Sequence, residues 1–341
     1  METVACNLCG STRQIALYQM PDRQGYQAEM FTAVECNECG LGFVNPRPRF
    51  EEMWKYYPKE YYEESFEQNR VYHLRRYARE AGYLRPIERR PGPKSLLDVG
   101  CANGDFPRFM RARGWHVEGV EVSTSSQPVT DFKVYPQQLP DIPVNQPVYD
   151  AVTAWAVLEH VHDPMAYFRK ASEVTKAGGL FVFLVTNFNS LASRRLFLED
   201  IPRHLYFFSE KTVRRYLEET GFTLERAYFP GDIFELPSRN WLHYYVKTRL
   251  RRQAFTYADI PMARPEFFKH YNLKPGILAT VKYAVAQPLT ALDRALLPVL
   301  TWIQILRKTY GNSTYVAKRL GGKELPTSAE ERNYVENRRS R

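Results

Sequence analysis

Ser95 to Val99 is a short apolar run, the small-residue turn Gly100-Cys101-Ala102-Asn103-Gly104 follows it, and apolar residues then recur at helical spacing from Phe106 to Arg113. That order predicts strand, tight loop, helix. Trp115 to Val122 is again mostly apolar and contains Glu121, so a second parallel strand is predicted to end on an acid. Much later, Leu289, Leu292, Leu296, Leu297, Leu300, Ile303 and Leu306 recur at helical spacing, with Asp293, Arg294 and Gln304 on other faces and Pro288 and Pro298 interrupting. Asn312 to Lys318 alternates like an edge strand and is predicted to close a sheet as its seventh member.

Two parallel strands joined by a glycine turn and a helix define a ligand site, because doubly wound sheets bind at the carboxyl edge of their strands. Gly100 and Gly104 let the backbone approach a ligand, and a carboxylate ending the second strand can accept both hydroxyls of a ribose. A nicotinamide fingerprint would need glycine at 102 and 105. Ala102 and Asp105 stand there, which argues against a dehydrogenase.

Asp98, Gly100 and Gly104 fill a D-x-G-x-x-x-G pattern that resembles motif I of the class I S-adenosylmethionine (SAM) methyltransferases; Ala102 stands where many members have glycine. The resemblance continues in Tyr149 to Trp155, Val157-Leu158-Glu159-His160-Val161 and Asp163-Pro164, similar to the family's fourth strand and following helix. Lys176-Ala177-Gly178-Gly179 before Leu180 to Val185 matches its glycine turn and fifth strand. It implies a Rossmann-like seven-stranded α/β sheet and SAM as cofactor, held by Asp98, Gly100, Ala102, Gly104, Glu121 and Trp155. Trp155 would cover or line the sulfonium pocket, which an aromatic face favours electrostatically. The adenine is expected near Gln138 and Leu139.

Four of the five cysteines form two pairs, Cys6/Cys9 and Cys36/Cys39, each followed by glycine. This is zinc-ribbon spacing, and four thiolates complete the tetrahedral shell of a structural Zn2+ without leaving a position open for catalysis. Cys101 reads as a small packing residue. Asn45-Pro46-Arg47-Pro48 and a tyrosine-rich stretch follow, from which Tyr61 or Tyr62 is expected either to pack the ribbon onto the next domain or to act as a lid. The order of ribbon, P-x-P, tyrosines and motif I resembles a zinc-ribbon-bearing branch that includes deoxysugar C-methyltransferases and is related to ubiquinone-type methyltransferases.

Methyl transfer from a sulfonium needs a base for the acceptor's proton. His160, His162 and His204 lie where that family places its active-site edge. His204 is the first candidate, because Arg203-His204-Leu205-Tyr206-Phe207-Phe208-Ser209 is similar to a sugar C-methyltransferase segment; His160, expected at a helix start, is the second. Ile201-Pro202-Arg203 replaces the tyrosine, histidine and glutamate of those sugar enzymes. That leaves His204 without an expected carboxylate partner and favours oxygen over carbon methylation. Arg203 is expected to neutralise a substrate anion or to sit on the surface.

The 341 residues, 44% of them hydrophobic, suffice for more than one domain. The readings divide the chain into a zinc ribbon (1–48), an aromatic-rich helical connector or lid (49–92), a SAM-binding Rossmann-like domain (93–230), a helical substrate or partner insert (231–310), a closing strand (311–320) and a disordered basic tail (321–341). The start of the chain has no apolar signal core and no long apolar span occurs, so a cytoplasmic location is expected, with contact at the inner membrane face as an option. The net charge of +9 favours an anionic partner. The acceptor is expected to be a sugar, nucleotide-sugar or related small molecule of glycan or secondary metabolism. Alternatives are a quinone-like or lipid-linked acceptor at the membrane and a non-catalytic zinc-ribbon nucleic-acid binder, the latter opposed by the lack of a basic recognition helix. The leucine stripe is expected to face core or a second copy, or else a membrane surface.

Overall fold

The computed structural model describes residues 1–58, 70–123, 129–229, 241–256 and 277–321. Tyr61, Tyr62, much of the insert and the tail beyond Gly321 lie outside the described residues. Two sheets organise the rest. The first pairs β1 (Gln14–Pro21), β2 (Met30–Cys36) and β3 (Gly42–Val44) antiparallel. The second is the Rossmann-like sheet of β4 (Lys94–Val99), β5 (Trp115–Val120), β6 (Lys133–Tyr135), β7 (Tyr149–Trp155), β8 (Thr175–Thr186), β10 (Phe222–Tyr228) and β11 (Asn312–Arg319), in the order β10-β11-β8-β7-β4-β5-β6. The chain order reverses between β4 and β7, so the crevice for a ligand opens above their carboxyl ends.

β4 to β8 are parallel, and helices cover them, which is why these strands read as continuous apolar runs and not as alternating ones. Leu96, Leu97, Ala151, Val152 and Phe181 are fully buried. The closing strand departs from expectation. β11 pairs antiparallel with β8 on one side and β10 on the other, so it is an interior strand, and Asn312 to Ala317 are buried on both faces. Asn312, Ser313 and Thr314 are residue types common on an exposed face, yet all three are buried.

Tyr206 and Phe207, from the chain between β8 and β10, join the first sheet. β9 (Tyr206–Phe207) adds antiparallel to β3, which makes it the fourth strand of the ribbon sheet. Arg47 reinforces this seam by donating to the His162 carbonyl at 3.0 Å and to Tyr206 Oη at 2.8 Å. The ribbon is therefore stitched to the loops at the carboxyl edge.

The Ile277–Leu306 helix runs through Pro288 and Pro298 without a break. Its polarity is the reverse of a core-facing helix: Asp293 and Gln304 are buried, whereas Leu292, Val299, Trp302 and Leu306 are exposed. No helix among the described residues is long and apolar enough to cross a membrane.

Candidate active site

The turn after β4 is built around glycines that nothing larger could replace. Gly100 has φ +70° and a Cβ there would sit 2.5 Å from Val157 Cγ2; at Gly104 (φ +81°) it would meet Phe132 Cζ at 2.8 Å. Ala102 also takes a positive φ of 48°, a conformation that costs an alanine about 1 kcal/mol and in which glycine would be at ease. Its N–H donates to Glu121 Oε2 at 2.9 Å, while Glu121 Oε1 accepts from Ser123 N at 2.7 Å. Each oxygen keeps lone pairs for another donor, so the carboxylate lies fixed against the turn as a ribose-binding group requires. Turn and acid thus fit a SAM nucleoside.

Asp98 is buried at the end of β4, where it accepts from Thr153 Oγ1 of β7 at 2.6 Å, and burial pushes its carboxyl up to about 8. It ties the two central strands beneath the loop. Trp155 is buried too, its ring 5.5 Å edge-on from Phe106 and 6.3 Å from Tyr83. The structure places it in the core cluster under the loop. Its buried indole N–H has no hydrogen-bond acceptor among the described residues. Cys101 is buried with Sγ against the space over Gly119, as a packing residue would be.

Val157 carries the chain from the Gly100 turn to a second group of polar side chains. His160 lies in a turn, not at a helix start, since the helix begins at Pro164 behind the Asp163 N-cap. The His160 ring stands 4.7 Å edge-on from that of His204. Its Nδ1 donates to the Arg203 carbonyl at 3.1 Å, with Tyr57 Oη 3.0 Å away. Burial and the neighbouring His204 push its pKa down to about 3, so it stays neutral.

His204 behaves oppositely. Burial alone would lower its pKa, but the Glu199 carboxylate, Oε2 2.7 Å from Nδ1, outweighs this and raises it. Glu199 has no exposed surface and also accepts from Thr186 Oγ1 at 3.1 Å, at the carboxyl end of β8. The carboxylate partner missing from Ile201-Pro202-Arg203 is therefore supplied by Glu199, five residues upstream of His204. Glu159, fully buried beside the pair, has its pKa pushed up to about 7 by burial, and one oxygen of each glutamate lacks a hydrogen-bond partner among the described residues.

Arg203 does not reach a substrate. It is fully buried, with Nη2 2.8 Å from Asp22 and 2.7 Å from Asp200 and Nη1 donating to the Tyr56 carbonyl at 3.0 Å. It bolts the ribbon sheet to the loop that carries Glu199 and His204. His162 Nε2 lies 3.1 Å from the Pro48 carbonyl and likewise serves that seam.

At the ribbon's other end, Cys6, Cys9, Cys36 and Cys39 place all four sulfurs within 4.8 Å of one another, with Cys6···Cys39 at 3.4 Å and Cys9···Cys36 at 3.5 Å. Bonds of about 2.3 Å in a tetrahedron would give edges of about 3.8 Å, so little adjustment separates the thiols from a ZnS4 shell. Two matching turns create it: Gly10 N donates to Cys6 O and Gly40 N to Cys36 O, both glycines at positive φ. Asn7, inside the first turn, donates to Asp163 Oδ1 at 2.8 Å and accepts from Met165 N at 2.9 Å. It holds the helix that follows His160. Two open clefts lie elsewhere, about 520 Å³ by Glu118, Tyr135 and Tyr149 and about 410 Å³ by Arg47 and Phe50.

Glu199 carries no sequence signal; Glu159 falls in the Val157–Val161 stretch, Tyr57 in the tyrosine-rich run and Asn7 between Cys6 and Cys9, but the sequence assigned none of the three a role in the site.

Residues 66–227 match a family model described as a methyltransferase domain. A ubiquinone biosynthesis O-methyltransferase of Chromobacterium violaceum is 33% identical over 109 residues, 29% of this chain and 47% of that protein. One of Bordetella bronchiseptica is 31% identical over 108 residues, 28% and 44% of the two chains. The match thus spans less than half the length of these curated relatives. Among solved structures, a SAM-dependent methyltransferase from Archaeoglobus fulgidus aligns with TM-score 0.46 and 19% identity over 76% of this chain and 98% of its own. A protein described as a putative sarcosine dimethylglycine methyltransferase, from Galdieria sulphuraria, aligns at 0.43 and 16% over 74% and 86%.

Proposed function

We propose that this chain, whose residues 66–227 match a methyltransferase domain, is a SAM-dependent methyltransferase that methylates a hydroxyl of a small-molecule acceptor. The observation that carries this reading is the Glu199–His204 pair, an oriented imidazole with a raised pKa at the edge where the β4 turn and Glu121 would hold the donor.

SAM, when bound, supplies an electrophilic methyl group. The chain's part is to hold the acceptor oxygen in line and to take its proton. Glu199 fixes the Nδ1–H tautomer of His204, which leaves Nε2 to accept the hydroxyl proton as the new C–O bond forms. His160, neutral, positions by hydrogen bonding and does not compete for that proton. Glu121, Gly100, Ala102 and Gly104 bind the nucleoside, and Asp98 holds the turn from below. Cys6, Cys9, Cys36 and Cys39 would bind structural zinc, which would stiffen the ribbon and leave the chemistry to the second domain.

A sugar or nucleotide-sugar acceptor remains our first choice, on the similarity of the His204 segment to sugar enzymes. A quinone-like acceptor is the second reading, supported by the names of the curated relatives and by the exposed apolar helix. Incubation with SAM and each acceptor class, read by S-adenosylhomocysteine release and by product mass, tests both. Failure to bind SAM in native mass spectrometry would sink the proposal.

A further inference from the structure

The Ile277–Leu306 helix buries its polar positions and presents its apolar ones to solvent. Leu292, Leu296, Val299, Trp302 and Leu306 succeed one another by three or four residues, so they form one stripe about 21 Å long at 1.5 Å per residue. Trp302 is 63% exposed. Inside the protein, by contrast, the helix is gripped by polar atoms: Asp293 Oδ1 accepts from Leu242 N at 2.9 Å. That bond pins the segment whose continuation carries the exposed Arg249, Leu250, Arg251 and Arg252. Arg307, just past the helix end and next to Leu306, is exposed beside the stripe, and Arg294 is exposed elsewhere on the helix.

Apolar residues with an indole among them and Arg307 next to them match the chemistry of an interfacial helix, and no helix among the described residues is apolar and long enough to span. We infer that this stripe docks on an anionic lipid bilayer, its leucines and Trp302 lying between headgroups and the arginines against lipid phosphates. A second copy of the chain would also cover leucines, but it would bring the same arginines and the same net charge of +9 toward themselves, whereas an anionic surface attracts both.

Docking would orient the enzyme. The helix ends where β11 begins, and Asn312 pairs with Thr186, the last residue of β8. Asn187 Nδ2 donates to the carbonyls of Lys308 and Tyr310 at 3.1 and 2.9 Å, while Thr186 holds Glu199. The stripe is thus anchored next to the carboxyl edge that bears His204. The surface chemistry stands independently of the acceptor proposed above.

Sedimentation of the full-length protein with vesicles of equal parts phosphatidylglycerol and phosphatidylcholine, against vesicles of phosphatidylcholine alone, tests the inference. Binding to the anionic vesicles only, weakening as salt rises, is expected. W302E/L306E should abolish it, and R249Q/R251Q/R252Q should weaken it by about fivefold per cation, roughly a hundredfold together. These side chains are exposed, so unchanged SAM binding and circular dichroism will show that both variants fold. No binding by the unaltered chain, binding that survives W302E/L306E, or a dimer dissolved by W302E/L306E in a protein that ignores vesicles would each overturn it.

Discussion

Glu199 Oε2 stands 2.7 Å from His204 Nδ1, so a carboxylate with no exposed surface orients an imidazole that is 13% exposed. The pairing separates two histidines whose rings nearly touch. His204, beside the carboxylate, is the more basic; His160, beside a carbonyl and a tyrosine, stays neutral. Opposite shifts on adjacent groups distinguish a proton acceptor from a positioning residue.

The first prediction follows from this division. His204→Ala should lower kcat by about 10² to 10⁴ with SAM affinity unchanged, the range for loss of a general base. Because the carboxylate raises the pKa of His204, activity should fall as pH drops through that raised value and the base becomes protonated. Glu199→Gln removes the charge and should move this acidic limb to lower pH while cutting kcat. A pH profile of kcat for the three proteins checks it; an unmoved limb in Glu199→Gln would leave the carboxylate a packing role.

Gly100 and Val157 support the second. Gly100→Ala adds a methyl 2.5 Å from Val157 Cγ2 at φ +70°. Overpacking costs about 1 to 3 kcal/mol and the left-handed backbone about 1 more. Gly100→Ala should therefore weaken SAM binding and lower the unfolding midpoint. Gly100→Ala/Val157→Ala should recover the steric part but not the conformational part. Calorimetric SAM titration of all four combinations measures the coupling, and full additivity would show that the two residues do not meet.

Much of this site was legible because it is local. Asp98, Gly100, Gly104 and Glu121 lie on one strand–turn–helix–strand unit whose glycines and acid have to fall at those positions, and the cysteine pairs announce themselves by spacing. What could not be read depends on distant chain segments meeting. Glu199 faces His204 because a loop folds back under β8, and Arg203 is buried because Asp22, some 180 positions earlier, comes to it. The helix stripe was read correctly as a helix, but its exposed side could not be chosen, since periodicity locates an apolar face without saying what covers it. β11 looked like an edge for a related reason: its serine, threonine and asparagine are buried between two antiparallel neighbours.

Arg203 gives the third prediction. Replacing a fully buried guanidinium that serves Asp22 and Asp200 strands one buried and one partly buried carboxylate, and breaking such a buried pair costs about 3 to 5 kcal/mol. Burial tends to raise the Asp200 pKa, but the Arg203 hydrogen bonds and charge hold it below the usual carboxylate value of about 3.9. Its contribution to stability is therefore complete above that value and lost as pH falls through the depressed one. Arg203→Met should lower the urea midpoint at neutral pH and flatten the acid loss of stability. A variant that unfolds like the unaltered chain would show the network to be dispensable.

The last prediction concerns the ribbon, where Asn7 links the first cysteine knuckle to the helix that follows His160. If Cys6, Cys9, Cys36 and Cys39 hold zinc, native mass spectrometry should find one ion per chain, and Cys36→Ser/Cys39→Ser should lose it. Ribbon thiols left without metal should loosen the two knuckles, because metal binding contributes folding free energy directly. The consequence should travel. Asn7 sits between Cys6 and Cys9 and bonds Asp163 and Met165, so a loosened knuckle frees the helix start just beyond His160. Asn7→Ala isolates that link: it should retain zinc, yet lower kcat by about tenfold, since misplacing a positioning group by 1 Å can cost about a hundredfold. Zinc retained with kcat unchanged in Asn7→Ala would separate the ribbon from the chemistry, and zinc absent from the unaltered protein would remove the metal from it altogether.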